Sequence, residues 1–578
     1  MTAAEIRKRI LDTTLENGGH LASSLGAVEI AMALHDVFDA TRDRIVWDVG
    51  HQAYAWKILT GREAGFSTLR KLDGLSGFPN PMESPADAAV AGHAGVAISV
   101  AEGYAAAFER RGEKRHAVAV VGDAAIANGT SFEALNNCTG VCNKVIVVLN
   151  DNEMSISRPT GALARLFGRL VTGVGYNRVK AAAESAGHRL RLTFLRGVYH
   201  RVESRIKGLF VGSAFFERFG LRYIGPVDGH DLCALRRAFT VAKEDKRSVL
   251  VHVVTKKGRG YEPAERDPTR WHGIGPRQTS ACSSKSWSAA FGEALCAAAQ
   301  ADGRIVALTA GMADGTGLRG FATAFPDRFF DVGIAEGHLV AFASGLAAAG
   351  MRPVVAVYST FLQRAVDQVM HDVCIAKLPV VFCVDRAGLV GSDGVTHQGL
   401  YDFAMLRCLP NLTICQPKDE DDLKSLLEEA LKRNGPTVIR YPRGNCSNAV
   451  DGCATTEHSD IRAFEHSDIV IWATGDQLAK AYSVAAKVGA EVTFARYLKP
   501  FDEALLARQR AAGRRIVSIE NGSVAGGFGE AIGADVKFGW PDSFIPHGTV
   551  PELERRYGLD IDSIVERLKL PLSNSGIK

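Results

Sequence analysis

The sequence predicts an α/β protein built from three doubly wound domains with mostly parallel sheets. Short β-branched apolar runs recur along the chain and alternate with stretches of helical pattern, which is typical of parallel strands covered by helices. At 578 residues the chain is too long for one compact core, since a domain holds roughly 100–200 residues. Polar segments of small residues at 276–286 and after Asn445 have linker composition and divide the chain into the three domains.

The first predicted domain spans residues 1–275. We interpret its apolar runs Val118–Val121, Val145–Leu149 and Val249–Thr255 as strands. A basic stretch rich in Arg and Gly lies between residues 158 and 220. We expect this stretch to cover the site described below, without assigning it a fold.

The second predicted domain spans residues 287–445, and the third spans residues 460–578. Short apolar runs of the second domain are interpreted as strands at Ile305–Leu308, Val354–Val357, Val380–Val384 and Val438–Arg440. Those of the third domain are interpreted as strands at Ile469–Ala473, Val492–Phe494 and Ile516–Ile519. Because helical patterns separate the runs, each domain is expected to be a doubly wound layer.

Composition and charge exclude several classes of function. Hydrophobic residues make up 46% of the chain and charged residues 23%, as in soluble globular proteins. The net charge of +4 comes from interspersed acidic and basic residues, which does not favour a nucleic-acid partner. No apolar run near the start resembles a signal peptide, and none approaches the roughly 20 residues of a membrane span. We therefore expect a cytoplasmic protein, whose eleven cysteines lack metal-ligand spacing and are reduced.

The most informative segment lies in the first domain, where two apolar runs each end in polar residues. Asp123 follows the first run, and Asn152 closes an Asn-Asp-Asn sequence after the second. If the runs are strands joined by one crossover, both side chains lie at carboxyl ends of strands, where open α/β sheets bind ligands. Their oxygens suit magnesium, which keeps coordination positions for a diphosphate. Asp and Asn are also common turn residues, and spacing alone leaves the two interpretations roughly even.

This segment resembles the thiamine diphosphate signature, which is usually Gly-Asp-Gly, then about thirty residues and an Asn-rich end. Further matching segments follow in the same order along most of the chain: GGHLASSLG (Gly18–Gly26), WDVGHQAY (Trp47–Tyr54), ILTGR (Ile58–Arg62), IGPVDGHD (Ile224–Asp231), TKKGRGYEPAE (Thr255–Glu265), YSTFLQRA (Tyr358–Ala365), DRAG (Asp385–Gly388), DGVTHQG (Asp393–Gly399) and YPRGN (Tyr441–Asn445). With them the chain resembles the transketolase superfamily and, within it, the 1-deoxy-D-xylulose-5-phosphate synthases. The resemblance implies that the three domains are of the transketolase type.

The resemblance implies thiamine diphosphate and magnesium as cofactors. Magnesium would be held by Asp123 and Asn152 with the carbonyl of Met154. Glu336 matches the carboxylate that activates the aminopyrimidine ring of the cofactor, although a lone Glu at a helix start is more often a partner of the helix dipole. Phe361 matches the aromatic residue that stacks on the pyrimidine. The other implied cofactor contacts are His51, Gly92, His93, Ala94, Ala124, Ala125, Ile156, Lys257 and Tyr261.

For the substrates, the resemblance points to histidines and arginines. His20 and His397 are the best candidates for handling the pyruvate carboxylate and the aldehyde proton of the acceptor, because a neutral imidazole can donate or accept a proton near pH 7. Arg386 and Arg443 match the arginines that bind the acceptor phosphate, although isolated arginines at strand ends are more often surface ion-pair partners. The other implied substrate-binding residues are Ser23, Tyr358, Arg364 and Asp393.

The implied reaction is the condensation of pyruvate with D-glyceraldehyde 3-phosphate to 1-deoxy-D-xylulose 5-phosphate and carbon dioxide. Such a transferase supplies the first step of the non-mevalonate isoprenoid pathway and also feeds thiamine and pyridoxal synthesis. The resemblance further implies a homodimer with the cofactor between the first two domains. Two alternatives stay open, namely a divergent paralogue with another donor or acceptor and a catalytically weak regulatory relative.

Three positions motivate these alternatives because they depart from the family pattern. Ala94-Gly95 replaces a Ser-Ser pair, Ala124 replaces the second glycine of Gly-Asp-Gly, and Gly337 replaces a Gln beside Glu336. The methyl group of Ala124 is tolerable near a phosphate only if that residue keeps a negative φ. No departure removes a metal ligand or the activating carboxylate, so we expect lowered cofactor affinity rather than lost chemistry.

Overall fold

The computed structural model describes residues 1–142, 144–152, 215–276, 285–446, 454–455, 459–462 and 467–570. The chain divides into two compact units, which we call the first unit and the second unit. The first unit comprises Met1–Leu69 and Gly74–Thr279, and the second comprises Arg70–Asp73 and Ser280–Lys578. Among the described residues, no helix combines the length and the apolar character that crossing a membrane requires.

The described residues of the first unit form a parallel sheet of five strands. These are β1 (Arg44–Trp47), β2 (Ala117–Gly122), β3 (Ile146–Asp151), β4 (Arg222–Asp228) and β5 (Val249–Val254). They lie in the order β1-β2-β3-β5-β4, and every pairing is parallel. The residues of β2, β3 and β5 are almost all buried, as expected for a parallel sheet that is covered on both faces.

Helices of the first unit begin at capping groups that the sequence provides. Thr2 and Glu5 form a capping box at the first helix, and Asp231 accepts the amide of Ala234 at 3.0 Å at another. The described α-helices are Ala3–Asn17, Leu21–Gly26, Val28–Val37, Tyr54–Lys57, Ala97–Arg110, Gly129–Val141, Leu232–Glu244 and Glu262–Arg266. A π-helical turn at Ile58–Arg62 and a 3-10 turn at Phe66–Thr68 follow the fourth of them.

The second unit contains two sheets. Its strands are β6 (Ile305–Thr309), β7 (Phe329–Asp331), β8 (Arg352–Tyr358), β9 (Val381–Asp385), β10 (Thr413–Cys415), β11 (Thr437–Arg440), β12 (Ala454–Thr455), β13 (Ser459–Arg462), β14 (Ile469–Thr474), β15 (Glu491–Ala495), β16 (Tyr497–Lys499), β17 (Arg515–Ser523) and β18 (Val536–Trp540). The order β16-β10-β11-β9-β8-β6-β7 forms one sheet, which is parallel except where β16 pairs with β10. The order β12-β13-β15-β14-β17-β18 forms the other, in which β12 and β13 are antiparallel to their neighbours.

Helices separate these strands, as the sequence predicts. The described α-helices are Trp287–Ala301, Arg319–Ala324, Glu336–Ala348, Ser359–Leu362, Val366–Gln368, Asp402–Leu406, Glu420–Lys432, Leu478–Val488, Glu503–Ala511, Phe528–Ala531, Val550–Arg556 and Ile561–Lys569. Pro326–Arg328, Gln363–Ala365, Gly394–Thr396 and Gly475–Gln477 are 3-10 turns, and Val369–Cys374 is π-helical. One apolar core joins the two sheets, since Phe382 of β9 and Trp472 of β14 belong to the same buried cluster.

The predicted fold class is confirmed, and every apolar run interpreted as a strand is one. The remaining strands escaped the sequence analysis, among them β7, β10, β12 and β16, which are no longer than three residues and too short for a periodicity. The nine described cysteines form no disulfide, in agreement with the expectation of reduced thiols.

Candidate active site

In the first unit, Asp123 and Asn152 follow two neighbouring parallel strands. β2 pairs with β3 in a register that sets Gly122 opposite Asn150, and the helix Gly129–Val141 connects the strands. Asp123 and Asn152 therefore leave the same edge of the sheet, as the sequence predicts. We call this edge, together with the loops that reach it, the cofactor edge.

The Asp123 carboxyl lies in surroundings that disfavour its charge. Burial, reinforced by repulsion from Asp151, raises its pKa to about 7, against the opposing attraction of Lys257. Burial likewise lowers the pKa of Lys257 to about 8, against the attraction of Asp123. A half-buried acid and a buried base whose pKa values both shift towards the neutral form indicate a place that an added cation and an added anion would stabilise.

The donor chemistry at Asp123 fits magnesium. The carboxylate and the Asn152 amide offer hard oxygen ligands. Within the described residues no cluster of three or more His, Cys, Asp or Glu side chains could hold a metal, so further ligands would have to be amides, carbonyls, water or a bound diphosphate. The implied ligand Met154, the support Ile156 and most of the 158–220 stretch lie outside the described residues.

Three half-buried histidines form a cluster in the same unit. The rings of His20, His51 and His272 are 5.4 to 6.0 Å apart between centroids. Burial, then the positive charge of neighbouring groups, lowers the pKa of His51 and of His272 far below the usual value. Both imidazoles are therefore neutral at pH 7, and Ser23 Oγ lies 3.2 Å from Nδ1 of His272. Sequence reasoning missed His272, which stands outside the matched segments.

The loop after β5 carries Lys257 and Tyr261. It contacts the helix that bears Ser23, since the Gly258 amide donates to the Ala22 carbonyl at 2.8 Å. Lys257 is buried, whereas Tyr261 is half-buried with its ring 5.2 Å from that of Trp271.

Two of the departures have a structural account at the cofactor edge. Ala124 is not among the residues other than glycine that have a positive φ in the described chain, so its methyl group meets the condition set above. Gly95 has a φ of +89°, and its amide donates to both carboxylate oxygens of Asp48 at 2.9 Å. A Cβ at Gly95 would stand 2.5 Å from Oδ1 of Asn128, so Asn128 occupies the space that a serine at position 95 would need.

Glu336 is the buried carboxyl of the second unit that matches the activating residue. It begins the helix Glu336–Ala348 and is 4% exposed. Burial raises its pKa, against the attraction of Arg364, whose Nη1 is 3.5 Å from Oε2. Gly337 stands beside it, and a Cβ there would lie 3.3 Å from Oε1 of Gln368. Arg364 is thus an ion-pair partner of Glu336.

Phe361 belongs to an aromatic group that follows β8. Its ring stacks at 5.9 Å on Tyr358 with an angle of 26° between the planes, and His397 meets it edge-on at 5.6 Å. Phe361 therefore contacts two other predicted site residues.

Arg386 and Arg443 follow the adjacent strands β9 and β11. The Arg386 guanidinium lies 3.8 Å from the Tyr358 ring centroid, on a backbone with φ of +59°. Such strain in a residue other than glycine is typical of functional sites. Asp393 accepts from Arg443 at 3.0 Å and from Arg70 at 2.7 Å. We call Tyr358, Arg386, Asp393, Arg443 and Arg70 the acceptor edge. Sequence reasoning missed Arg70, because it lies in no matched segment.

The chain matches three family models. The model described as 1-deoxy-D-xylulose-5-phosphate synthase matches residues 1–255. The pyrimidine binding domain of transketolase matches residues 283–448, and the C-terminal domain of transketolase matches residues 461–564.

Curated relatives align along nearly the whole chain. A 1-deoxy-D-xylulose-5-phosphate synthase of Desulforudis audaxviator (strain MP104C) is 47% identical over 97% of this chain and 93% of its own. The 1-deoxy-D-xylulose-5-phosphate synthase 1 of Geobacter metallireducens (strain ATCC 53774 / DSM 7210 / GS-15) is 45% identical over 98% of this chain and 95% of its own.

Proposed function

The chain belongs to the 1-deoxy-D-xylulose-5-phosphate synthase family, and on that premise we propose that the cofactor edge and the acceptor edge carry the chemistry of such a synthase. The reaction is the condensation of pyruvate with D-glyceraldehyde 3-phosphate to 1-deoxy-D-xylulose 5-phosphate and carbon dioxide, with thiamine diphosphate as cofactor. This makes the protein a transketolase-type transferase. Its product serves as an early intermediate of isoprenoid synthesis.

One observation supports the catalytic assignment above all others. Glu336 is a buried carboxyl whose pKa is raised by burial, and it lies in the part of the chain that matches a pyrimidine binding domain. A carboxyl that exchanges a proton readily can hold a proton on a ring nitrogen of the aminopyrimidine. Thiamine diphosphate supplies the electron sink for decarboxylation when it is bound.

In this proposal, the cofactor edge holds magnesium and the diphosphate. Asp123 and Asn152 are the protein ligands of magnesium, and Met154 is proposed as a third. Lys257 neutralises a phosphate oxygen as a buried point charge. The diphosphate and its surroundings are completed by His51, Gly92, His93, Ala94, Ala124, Ala125, Ile156 and Tyr261, while Phe361 stacks on the pyrimidine.

The histidines are proposed to handle the substrates. His51 and His272 are neutral, and with His20 beside them they form a group that can donate or accept hydrogen bonds at a carbonyl or carboxylate. Ser23 adds a hydroxyl to this group. His397, in contact with Phe361, is placed to exchange a proton with the aldehyde oxygen of the acceptor.

The acceptor edge is proposed to bind the phosphorylated aldehyde. Arg386 and Arg443 offer planar guanidinium groups that suit a phosphate. The guanidinium of Arg386 stacks on the ring of Tyr358. Asp393 orients Arg443 through their ion pair, and Arg364 orients Glu336. We further propose a homodimer in the cytoplasm, with magnesium as the resident metal.

The test mixes purified protein with thiamine diphosphate, magnesium, pyruvate and D-glyceraldehyde 3-phosphate, and measures carbon dioxide release with and without the acceptor. We expect release that depends on the acceptor and formation of the five-carbon product. Release with a different acceptor only would favour a divergent paralogue, and no release with any acceptor would refute the enzymatic proposal.

A further inference from the structure

The segment Val390–Gln398, which we call the acceptor loop, carries both Asp393 and His397. Its last residue, Gln398, is only 2% exposed. Gln398 Oε1 accepts the amide of Val390 at 2.7 Å and that of Gly391 at 3.2 Å. One buried side chain therefore closes the loop by joining its end to its beginning.

The same side chain reaches the turn Pro546–Gly548, which follows β18. Gln398 Nε2 donates to the carbonyl of Pro546 at 3.1 Å. The two backbones are close together, because a Cβ at Gly391 would lie 2.9 Å from the Gly548 carbonyl oxygen. At position 391 the turn therefore leaves no room for a side chain.

The acceptor loop is also fixed on the side of Phe361. Thr360 Oγ1 donates to the carbonyl of Thr396 at 2.9 Å. His397 thus stands between two anchored residues, Thr396 and Gln398. A displacement of either anchor would move His397 and, along the loop, Asp393 with the arginine that it orients.

We propose that Gln398 is a positioning residue for the phosphorylated acceptor, and that through it the Pro546–Gly548 turn sets the places of His397 and Asp393. The C-terminal part of the chain thereby takes part in acceptor recognition without touching the substrate. This inference rests on the proposed function, because it needs an acceptor whose phosphate and aldehyde are read by the acceptor edge.

The Gln398→Glu variant removes the hydrogen bond that links the acceptor loop to the turn. A glutamate keeps an oxygen for the amides of Val390 and Gly391 but has no N–H group for the Pro546 carbonyl, nor for the Gly391 carbonyl, to which Nε2 donates over a longer 3.5 Å. We expect a KM for D-glyceraldehyde 3-phosphate about tenfold above that of the wild type, as for the loss of one buried hydrogen bond. The KM for pyruvate should stay within about twofold, since the histidine cluster is untouched.

Matched variants separate positioning from general damage. Gln300→Glu introduces the same change at an exposed helical glutamine and should leave both KM values as in the wild type. Gly391→Ala inserts a methyl group at the 2.9 Å contact, on a backbone whose φ of +88° also strains an alanine, and should raise the acceptor KM at least as much as Gln398→Glu does. Thermal unfolding of each variant shows whether it is folded, and Gln398→Glu and Gly391→Ala decide the matter if Gln398→Ala fails to fold.

Equal rises in the KM values of both substrates, or unchanged values in the folded Gln398→Glu and Gly391→Ala variants, would overturn the inference. Wild-type protein that releases no carbon dioxide with any acceptor would instead refute the proposed function. The two failures are therefore distinguishable in one set of assays.

Discussion

The cofactor edge and the acceptor edge both bring charged groups to the ends of parallel strands, but their charges are balanced differently. At the cofactor edge, burial drives Asp123 and Lys257 towards neutrality and keeps His51 and His272 neutral. At the acceptor edge, ion pairs join Arg443 and Arg70 to Asp393. In the proposed function the first edge would receive a metal and a diphosphate together, whereas at the second edge a bound phosphate would compete with Asp393 for the guanidinium of Arg443.

The largest effect is expected from Glu336→Gln. A glutamine has the same size but cannot hold or release the proton, so kcat should fall by about a thousandfold. Acceptor-dependent carbon dioxide release measures the loss, and thermal unfolding should show a folded protein. Glu102→Gln, which changes another buried carboxyl, should keep wild-type activity, and turnover within tenfold of wild type in Glu336→Gln would contradict the assigned role.

Arg443→Ala tests the acceptor edge. Because a charge-assisted hydrogen bond contributes about 1.5–3 kcal/mol, the KM for D-glyceraldehyde 3-phosphate should rise about ten- to a hundredfold. The KM for pyruvate should change little. Arg433→Ala at an exposed arginine of the same unit is the control, and equal effects on the two substrates would speak against phosphate binding.

Gly95→Ser tests whether the cofactor edge depends on the space taken by Asn128. Backbone strain at φ of +89° and the 2.5 Å contact with Asn128 should together lower the free energy of unfolding by about 3 kcal/mol. The affinity for thiamine diphosphate, measured by calorimetry, should fall as well. Adding Asn128→Ala removes the contacts with Oδ1 at 2.5 Å and Cγ at 2.6 Å and leaves only the Cβ contact at 2.9 Å, so the two changes should show a coupling of about 1 kcal/mol in a double-mutant cycle.

Gly103→Ser is the control for this experiment, because a Cβ at Gly103 would meet no atom within 4 Å. It should change the free energy of unfolding by less than about 1 kcal/mol. Strict additivity of Gly95→Ser and Asn128→Ala would show that the two residues do not compete for space.

The smallest effect is expected from Glu102→Gln, on the free energy of unfolding. Glu102 serves as a reference for Asp123, because burial raises the pKa of both carboxyls to about 7. Burial raises the pKa of Glu102 from 4.5 to about 7, and its Oε1 has no hydrogen-bond partner among the described residues. The folded protein therefore keeps a proton that the unfolded chain has lost between these pH values, so the stability of the wild type falls as pH rises through this window. Glu102→Gln should raise the free energy of unfolding by about 2 kcal/mol at pH 8 and by little at pH 4.5.

Denaturant unfolding at both pH values measures this difference. An equal gain at pH 4.5 and pH 8 would mean that the gain does not come from ionisation. Magnesium and thiamine diphosphate should leave the pH dependence caused by Glu102 unchanged, because its carboxyl acts on Cys138 and Cys142, near the C-terminal end of the helix Gly129–Val141.

The sequence predicted those parts of the molecule that depend on local pattern. The strands β2 and β3 follow from apolar runs, and Asp123 and Asn152 follow from where these runs end. Residues that act through packing were missed, because the distance between His272 and His20, or between Asn128 and Gly95, depends on how separate loops meet. Arg70 was missed for the same reason, since its partner Asp393 is more than three hundred positions away.

The departures show the same limit. Whether the methyl group of Ala124 is tolerated depends on the φ of that residue, which no sequence pattern reveals. In the structure Ala124 is not among the residues with a positive φ. From the sequence alone, the absence of a serine at position 95 is expected to lower the affinity for the cofactor. In the structure it is a consequence of where Asn128 lies.

Strand β16 has a consequence for dividing the molecule. It lies beyond β15 in the chain, yet it forms the antiparallel edge of the sheet that contains β10. A protein shortened at the polar segment near residue 450 would keep the pairing of β10 with β11 but lose that with β16, and the exposed edge of β10 would favour self-association. Expression of the first two predicted domains without the third is therefore expected to give aggregated protein. A chimera that takes its third domain from a relative has to include β16 in the exchanged part.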